Sequence, residues 1–470
     1  MSNFAIADKD KNRIQGYKNY ENIFLGDHYT AFAGMFKDFG KDFSHLVYLA
    51  VNFGGMLSKL SADLLFEEPP IIRVEKENQD WLKNFMDANK WNVQLYESGL
   101  ENSYRGDAVF RIRAENGKCI VEDINPESYF PVYDPSNVRK EPIEHIIANE
   151  VYLNTLTDSA GKPTKAYLIE RHQKGQILNE LYKVENDKIT EKLAIKVHFP
   201  NIKEVEKTNI NDFLIIHIKN YGINSRYFGI SDYNDLTSLI YAINGRLTRI
   251  DNILNKHGDP ILAVPQGVLD ENGQVRKESF GLIEVDFQES KGDIPRYIVW
   301  DAKLESAFAE IDKLVEFLFM VSETNPSAFG MDKNGMAESG RALKFKLLRT
   351  LAKKHRKELY YDYGIKKIVK TAFDFSIANG LSVNGIKAKG KMETPQILWQ
   401  DGIINDDTET VDIEIKKLDA GLTTKVDSIA TIDSIEQDEA QTKLEQINKE
   451  EKERKSVSVN PFNPNDLLNK

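Results

Sequence analysis

Gly330-Met331-Asp332-Lys333-Asn334-Gly335 is the first stretch whose residue types could do chemistry. Two glycines in a short polar run are how a phosphate-binding loop begins, because backbone N–H groups there can close on an anion. That chemistry also needs a lysine and a serine or threonine directly after the second glycine. Met336 and Ala337 stand there instead, so the glycines are expected to give a loop flexibility. Asp270-Glu271-Asn272-Gly273 offers oxygen ligands but lacks the ligand ladder and distant glutamate of a calcium loop; a hairpin turn is expected. The histidines are scattered, without a His-Glu-x-x-His pair for zinc. His217 sits in a strand-like run and His355 among lysines. Cys119 is the one cysteine, so no internal disulfide can form and a reducing site of folding is expected. No Gly-x-Ser-x-Gly elbow occurs. Acidic pairs are plentiful, but in a chain with 73 acidic residues such pairs arise by chance. No catalytic residue, metal site or cofactor is expected.

The whole chain sets limits on what such residues could serve. Its 470 residues suffice for several domains of about 100–200 residues each. Hydrophobic residues at 41% and charged residues at 29% fit a globular protein. The amino terminus lacks the apolar stretch of a secretory signal, and no apolar run approaches the roughly 18 residues of a membrane span. A cytoplasmic product without a membrane partner is therefore expected. A net charge of −11 speaks against a domain that grips nucleic acid tightly, since such domains are basic.

The elements that would position these residues form an α+β chain. Periodicity predicts a helix over 44–66, capped by Ser44 and stopped at Pro69-Pro70, and a second over 92–105. Strands are predicted at 107–113 and 118–124 around the turn Glu115-Asn116-Gly117, then at 142–152, 165–172, 179–184 and 213–219. From Ser231 to about His257 one apolar stripe (Leu236, Leu239, Ile240, Ile243, Leu247, Ile250, Leu254) predicts a long helix ended by Gly258, with Arg246, Arg249 and Lys256 off the stripe. Short strands broken by prolines fill 259–302. A second long helix spans 304–323, with Phe308, Ile311, Leu314, Val315, Leu318 and Phe319 on one side. A polar loop follows, then a third long helix from about 339 to Asn379. A strand at 395–399, helices at 408–419 and 425–453, and an aperiodic tail complete the chain.

The third helix is basic, with Arg341, Lys344, Lys346, Arg349, Lys353, Lys354, Arg356 and Lys357 close together. A charge run of this kind is either a solvated face or a surface that meets phosphate or an acidic neighbour.

The order of long helix, small β insertion, long helix, flexible loop and third helix resembles the portal proteins of long-tailed bacteriophages. Local segments agree. Tyr20-Glu-Asn-Ile-Phe-Leu-Gly26-Asp-His28 is similar to the family's amino-terminal tyrosine–glycine–histidine segment. Asn52-Phe-Gly-Gly-Met-Leu to Pro69 resembles its helix ending at a proline pair. Gly106-Asp-Ala-Val-Phe-Arg-Ile and Ile124-Asn-Pro126 to Tyr129-Phe-Pro131-Val resemble its wing strands. Tyr227-Phe-Gly229-Ile-Ser231-Asp232 resembles the lead-in to the stem, and Ser339-Gly340-Arg-Ala-Leu343 the residues after the tunnel loop. The matches span residues 17–440.

The resemblance implies a non-enzymatic, portal-type subunit with an α/β wing (1–230, continued by the long helix and strand of 339–402). It implies stem helices at 231–257 and 304–323 flanking a small β clip at 258–303. A tunnel loop at 324–338, an α-helical crown at 403–455 and a flexible tail at 456–470 complete the scheme. About twelve copies would close into a ring by heterologous contacts. Double-stranded DNA would pass through the ring at one capsid vertex of the virion during packaging and ejection. The implied protein partners are the terminase large subunit, head-tail connector or adaptor proteins, scaffolding protein and major capsid protein, with assembly in the host bacterial cytoplasm.

Within that scheme the acidity has a use. Every phosphate neutralised adds salt-dependent affinity, with a log–log slope of about −0.9 per contact, so a ring lined by many cations would trap the duplex. The candidates for DNA proximity are few: Lys333 and Asn334 in the loop, with Arg246, Arg249 and Lys256 on the first stem helix. Asp270, Asn272 and Gly273 are the candidates for partner docking at the clip. The competing readings are another structural head, neck or tail protein and a nuclease. The nuclease would need clustered acids for metal beside a basic groove.

Overall fold

The computed structural model describes residues 4–33, 48–134, 136, 142–157, 161–185, 188–258, 261–265, 282–285, 296–298, 304–331, 344–400, 407–433, 435 and 437–457. Helix and sheet are mixed, and the chain divides into two units.

The larger unit is built around a three-stranded antiparallel sheet. Its central strand, Asp107–Glu115, pairs with Lys118–Ile124 on one side and Ile215–Lys219 on the other. The tight hairpin between the first two works because Asn116 and Gly117 both adopt positive φ, 50° and 75°. The long helix Leu348–Asn379 lies against this sheet. Ile365, Ile368, Val369, Ala372 and Phe373 join Phe110, Ile112, Val121 and Ile216 in one core. Trp81 stacks on Phe85 at 5.1 Å and meets Phe373 edge-on at 5.2 Å, so the helix Gln79–Ala88 closes the other end. Gly364 is where the long helix crosses the sheet most closely: a Cβ there would run into Ile218 Cγ1 and Cδ1. A second sheet of six strands holds 129–132, 144–157, 163–173, 176–185, 188–193 and 205–207.

The helix Thr237–Gly258 and the helix Leu304–Val321 share an apolar core of Leu236, Ile240, Ile243, Ile250, Ile311 and Leu318. Between them, Ile261–Pro265 pairs in parallel with Leu282–Val285 and antiparallel with Arg296–Ile298. The smaller unit contains the helices Asp407–Asp419, Lys425–Asp433 and Gln437–Val457. Its first two helices are joined through Ser428 Oγ, which donates to Glu414 Oε2 at 3.0 Å.

Several boundaries differ from the sequence-based expectation, each for a physical reason. The helix expected from 44 begins at Phe53, because Asn52 caps it by accepting from the Gly55 N–H at 2.8 Å. Residues 48–51 are not helical, and Ser44 lies outside the described residues. The helix expected from Ser231 begins at Thr237. Ser231 bonds sideways, donating to the Tyr104 carbonyl at 2.6 Å while accepting from the Tyr233 N–H. At 22 residues that helix is about 33 Å long, not 40 Å. Phe308, expected on the apolar side, is 48% exposed. The expected helix 425–453 is two helices, Lys425–Asp433 and Gln437–Val457. The helices Asp8–Leu25 and Gln79–Ala88 had no counterpart in the expectation.

Gly364→Ala should lower unfolding stability by about 2 kcal/mol, the usual range for overpacking a tight contact. Urea denaturation measures this, and Ile218→Val in the same chain should restore part of the loss. An unchanged midpoint for Gly364→Ala would show that the helix can shift off the sheet freely.

Candidate functional site

The helix pair and the segment leading into it carry the described candidate residues. Arg246 projects from the Thr237–Gly258 helix and its Nε donates to Glu310 Oε1 of the neighbouring helix at 2.8 Å. Its charge is thus paired across the two helices. Arg249 is exposed one turn on. Lys256 lies in the same helix, but its side chain, like Lys333, Asn334, Asp270, Asn272 and Gly273 altogether, falls outside the described residues. The structure therefore brings Arg246 and Arg249 together on one helix and leaves the other candidates unplaced. Of the polar loop, 324–331 is described. Asn325 holds it to the basic helix: its N–H donates to Thr350 Oγ1 at 2.9 Å and its Nδ2 to the Lys346 carbonyl at 2.9 Å. The turn Pro326–Phe329 then ends at Gly330 in the left-handed conformation, φ 69°.

The junction beneath the helix pair is held by a buried carboxylate. Asp232 accepts from Lys357 Nζ at 2.7 Å, Ser103 Oγ at 2.7 Å and Asn220 Nδ2 at 2.9 Å, with Lys353 Nζ at 3.3 Å. Burial alone would raise its pKa. The two ammonium groups and the hydrogen bonds from Lys357 and Asn220 pull it well below the ordinary carboxylate value. Burial in turn brings Lys357 down to about 8, against the opposing pull of Asp232. A second carboxylate, Asp107, is fully buried. It accepts from Tyr17 Oη at 2.5 Å and from the Gly229 N–H at 2.7 Å, and His217 Nε2 lies 2.6 Å away. Burial opposes its charge, yet these partners keep its pKa lowered. The two nodes hold 220–236 against the central sheet strand and the long helix.

The basic run of the long helix has a use that neither sequence-based reading foresaw. Lys353 and Lys357 meet Asp232, and Lys354 is buried against Glu358 at 3.0 Å and the Gln400 carbonyl. Arg349 and Arg356 both reach Glu323, at 3.3 and 3.1 Å, just past the end of the Leu304–Val321 helix. Lys366 and Lys370 pair with Asp362 and Asp374. Much of this charge is satisfied inside its own chain, which corrects the picture of a solvated face or of a surface kept for phosphate. Asp232, Asp107 and Glu323 were missed from sequence because their partners lie tens to more than a hundred residues away. Among the described residues, no group of three or more His, Cys, Asp and Glu could hold a metal ion.

The chain matches the family described as phage portal protein, SPP1 Gp6-like, over residues 5–456. No curated protein matches it. It is similar to a chain in the virion of a native gene transfer agent particle at 9% identity and a TM-score of 0.43. That likeness covers 82% of this chain and 89% of the other. It is also similar to a chain in the neck of an empty gene transfer agent particle at 8% identity and a TM-score of 0.44, covering 84% and 93%.

Asp232→Asn should destabilise the chain by about 3–5 kcal/mol at neutral pH, because it leaves a buried lysine charge uncompensated. The folded-state pKa of Asp232 lies below its ordinary 3.8. Its contribution is therefore complete above that value and fades as pH falls through and below it. The gap in melting temperature between the two chains should be wide at pH 7 and begin to shrink only below pH ~4, shrinking further as pH falls towards the depressed folded-state value. A gap independent of pH would show that Asp232 is not the charged partner.

Proposed function

The chain belongs to the SPP1 Gp6-like phage portal protein family, and from that premise we propose that it is the subunit of a closed ring through which double-stranded DNA enters and leaves a phage head. The match over residues 5–456 carries this reading. About twelve copies join by heterologous contacts, as ring closure requires. The helices Thr237–Gly258 and Leu304–Val321 form the stem and the strands between them belong to the clip. Residues 324–338 form the tunnel loop, 1–230 and 339–402 the wing, 403–455 the crown, and 456–470 a flexible tail. The ring sits at one vertex of the virion and assembles in the host bacterial cytoplasm. Its protein partners are the terminase large subunit, head-tail connector or adaptor, scaffolding and major capsid proteins. Asp270, Asn272 and Gly273 at the clip contribute to docking. Among the described residues, no helix is long and apolar enough to cross a membrane.

The channel conducts DNA without reading or cleaving it. Phosphate contacts carry no sequence information, and each one strengthens the hold on the duplex. The pairing of Arg246 with Glu310, and of the basic helix with in-chain acids, supports a weak hold. Lys333 and Asn334 in the loop and Arg246, Arg249 and Lys256 on the stem are the residues proposed to lie nearest the duplex.

The purified chain should form a particle near twelve subunits in mass, with a central hole by negative-stain microscopy. A stable monomer with metal-dependent DNA cleavage would overturn the reading in favour of a nuclease. Lys333→Ala with Asn334→Ala should reduce packaging or genome retention while rings still form; unchanged packaging and retention would remove the loop residues from the DNA path.

A further inference from the structure

A cleft of about 440 Å³ opens between the Asp8–Leu25 helix and residues 226–234. Its lining contains Lys9, Arg13, Arg105 and Arg226 but only one acid, Asp10, an unusual balance on a chain of net charge −11. Arg105 is held by Glu21 and Glu101 at 3.1 and 2.9 Å. The other three cations are differently placed. Arg226 is exposed, and Lys9 lies 5.7 Å over the Tyr133 ring.

Arg13 forms the floor. Its side chain is 10% exposed and sits 4.3 Å over Phe228, with Tyr17 and Phe130 also within 5.4 Å. Its two terminal nitrogens donate to the Pro126 and Tyr129 carbonyls at 2.8 and 3.0 Å, and the second also reaches Asp10 at 3.4 Å. Its Nε is buried and has no partner. That nitrogen is closed to solvent, so Arg13 is fixed in place by its two carbonyl bonds and the surrounding rings and gives the cleft a positive floor.

Gly16 is a second, independent sign. It sits inside a helix, where glycine is less stable than alanine. A Cβ there would meet nothing within 4 Å, and the residue lines the cleft. No contact within the chain requires a glycine; an occupant of the cleft would.

We propose that this cleft is a socket for a carboxylate side chain on an acidic segment of the neighbouring copy in the ring. The inference rests on the portal reading. The Arg13 guanidinium already spends donors on two carbonyls and Asp10, which leaves Lys9 and Arg226 as separate exposed cations at the rim; that suits a carboxylate better than a phosphate, which asks for several converging donors. Copies of charge −11 repel one another, so ring contacts must set local cations against the neighbour's acids. Three cations around one acid, with aromatic rings between them, provide such a place.

The test uses the full-length chain in two forms. Gly16→Leu fills the socket while improving helix propensity, and Lys9→Glu with Arg226→Glu reverses the rim at exposed positions. Native mass spectrometry and sedimentation across a salt series should show each variant ring dissociating at a protein concentration at least tenfold higher than wild type. The melting temperature of the dissociated Gly16→Leu chain should be equal or higher. Rings of both variants with wild-type stability would sink the socket while leaving the portal reading intact. A wild-type chain that forms no ring would sink both. Binding of inorganic phosphate or a short DNA duplex that is lost in Gly16→Leu, with ring stability unchanged, would reassign the cleft to phosphate and overturn the carboxylate proposal.

Discussion

Asp232 is the interaction on which the rest of the architecture depends. A carboxylate out of water is tolerated only where several donors converge on it, and removing one partner costs far more than the pair is worth as a surface bridge. Here the donors come from three places in the chain: Ser103 at the end of one helix, Asn220 after a sheet strand, and Lys353 and Lys357 on the long helix. Each donor is useful in one arrangement only. The backbone agrees, because the Asp232 N–H donates to the Ser103 carbonyl at 2.9 Å. The segment that delivers the chain into the Thr237–Gly258 helix therefore has one position against the core. Asp107 repeats the device a short way off, gathering Tyr17, His217 and Gly229. Gly229 cannot be larger there: a Cβ would run into the Gly106 carbonyl.

This use of charge changes what the composition means. Counting lysines and arginines along 341–370 suggests a positive surface, and counting over the whole chain suggests a negative one. Neither count says where the charges lie. Lys354 and Lys357 are buried and paired, and Glu323 takes both Arg349 and Arg356. Glu323 does this from a left-handed backbone conformation, φ 57°, which non-glycine residues seldom adopt. The two arginines help to hold it there, and with it the end of the Leu304–Val321 helix. Cations that act as internal struts do not add to the hold on a passing polyanion, which suits a conduit better than a clamp.

The legible part of the fold is the part written in local patterns. The hairpin at Asn116-Gly117, the apolar stripes of the helix pair and the end of the long helix at Asn379 follow from spacing and turn chemistry. The nodes could not be read this way. Ser231-Asp232 looks like an N-cap before an apolar stripe, and only the fold reveals that both side chains turn towards partners more than a hundred residues distant. The Asp8–Leu25 helix escaped because it buries only Tyr17 and Ile23 and is polar or charged over most of its length. The cleft beside it is likewise assembled from the first helix and residues 226–234, segments with no sequence signal linking them. Family resemblance reached the lead-in residues 227–232 but not what they do.

The bond between residues 48–51 and the Thr237–Gly258 helix shows how a polar residue inside an apolar helix can be structural. Asn244 and Thr248 are fully buried, one turn apart. Four helical residues rise about 6 Å, and two extended residues span about 6.7 Å, so two side chains on one helix face can meet alternate amides of a strand-like segment. That is the arrangement found: the Leu49 N–H donates to Thr248 Oγ1 at 3.1 Å and the Val51 N–H to Asn244 Oδ1 at 3.0 Å. The helix thus acts as a sheet edge for the segment beside it, and Asn244 Nδ2 reaches on to His28 Nδ1 at 2.9 Å. Leu49 and Val51 themselves remain exposed, so backbone bonding and not side-chain burial fixes the segment. Had these residues been helical, as their apolar pattern suggests, the amides would have turned inward, and Asn244 Oδ1 and Thr248 Oγ1 would have lost the donors they accept from. The cost of those unmade bonds is comparable to what burying one apolar side chain would return, and it falls on two groups at once. The extended form is therefore preferred, and it anchors the helix proposed as the stem to the helix Phe53–Phe66 and the core behind it.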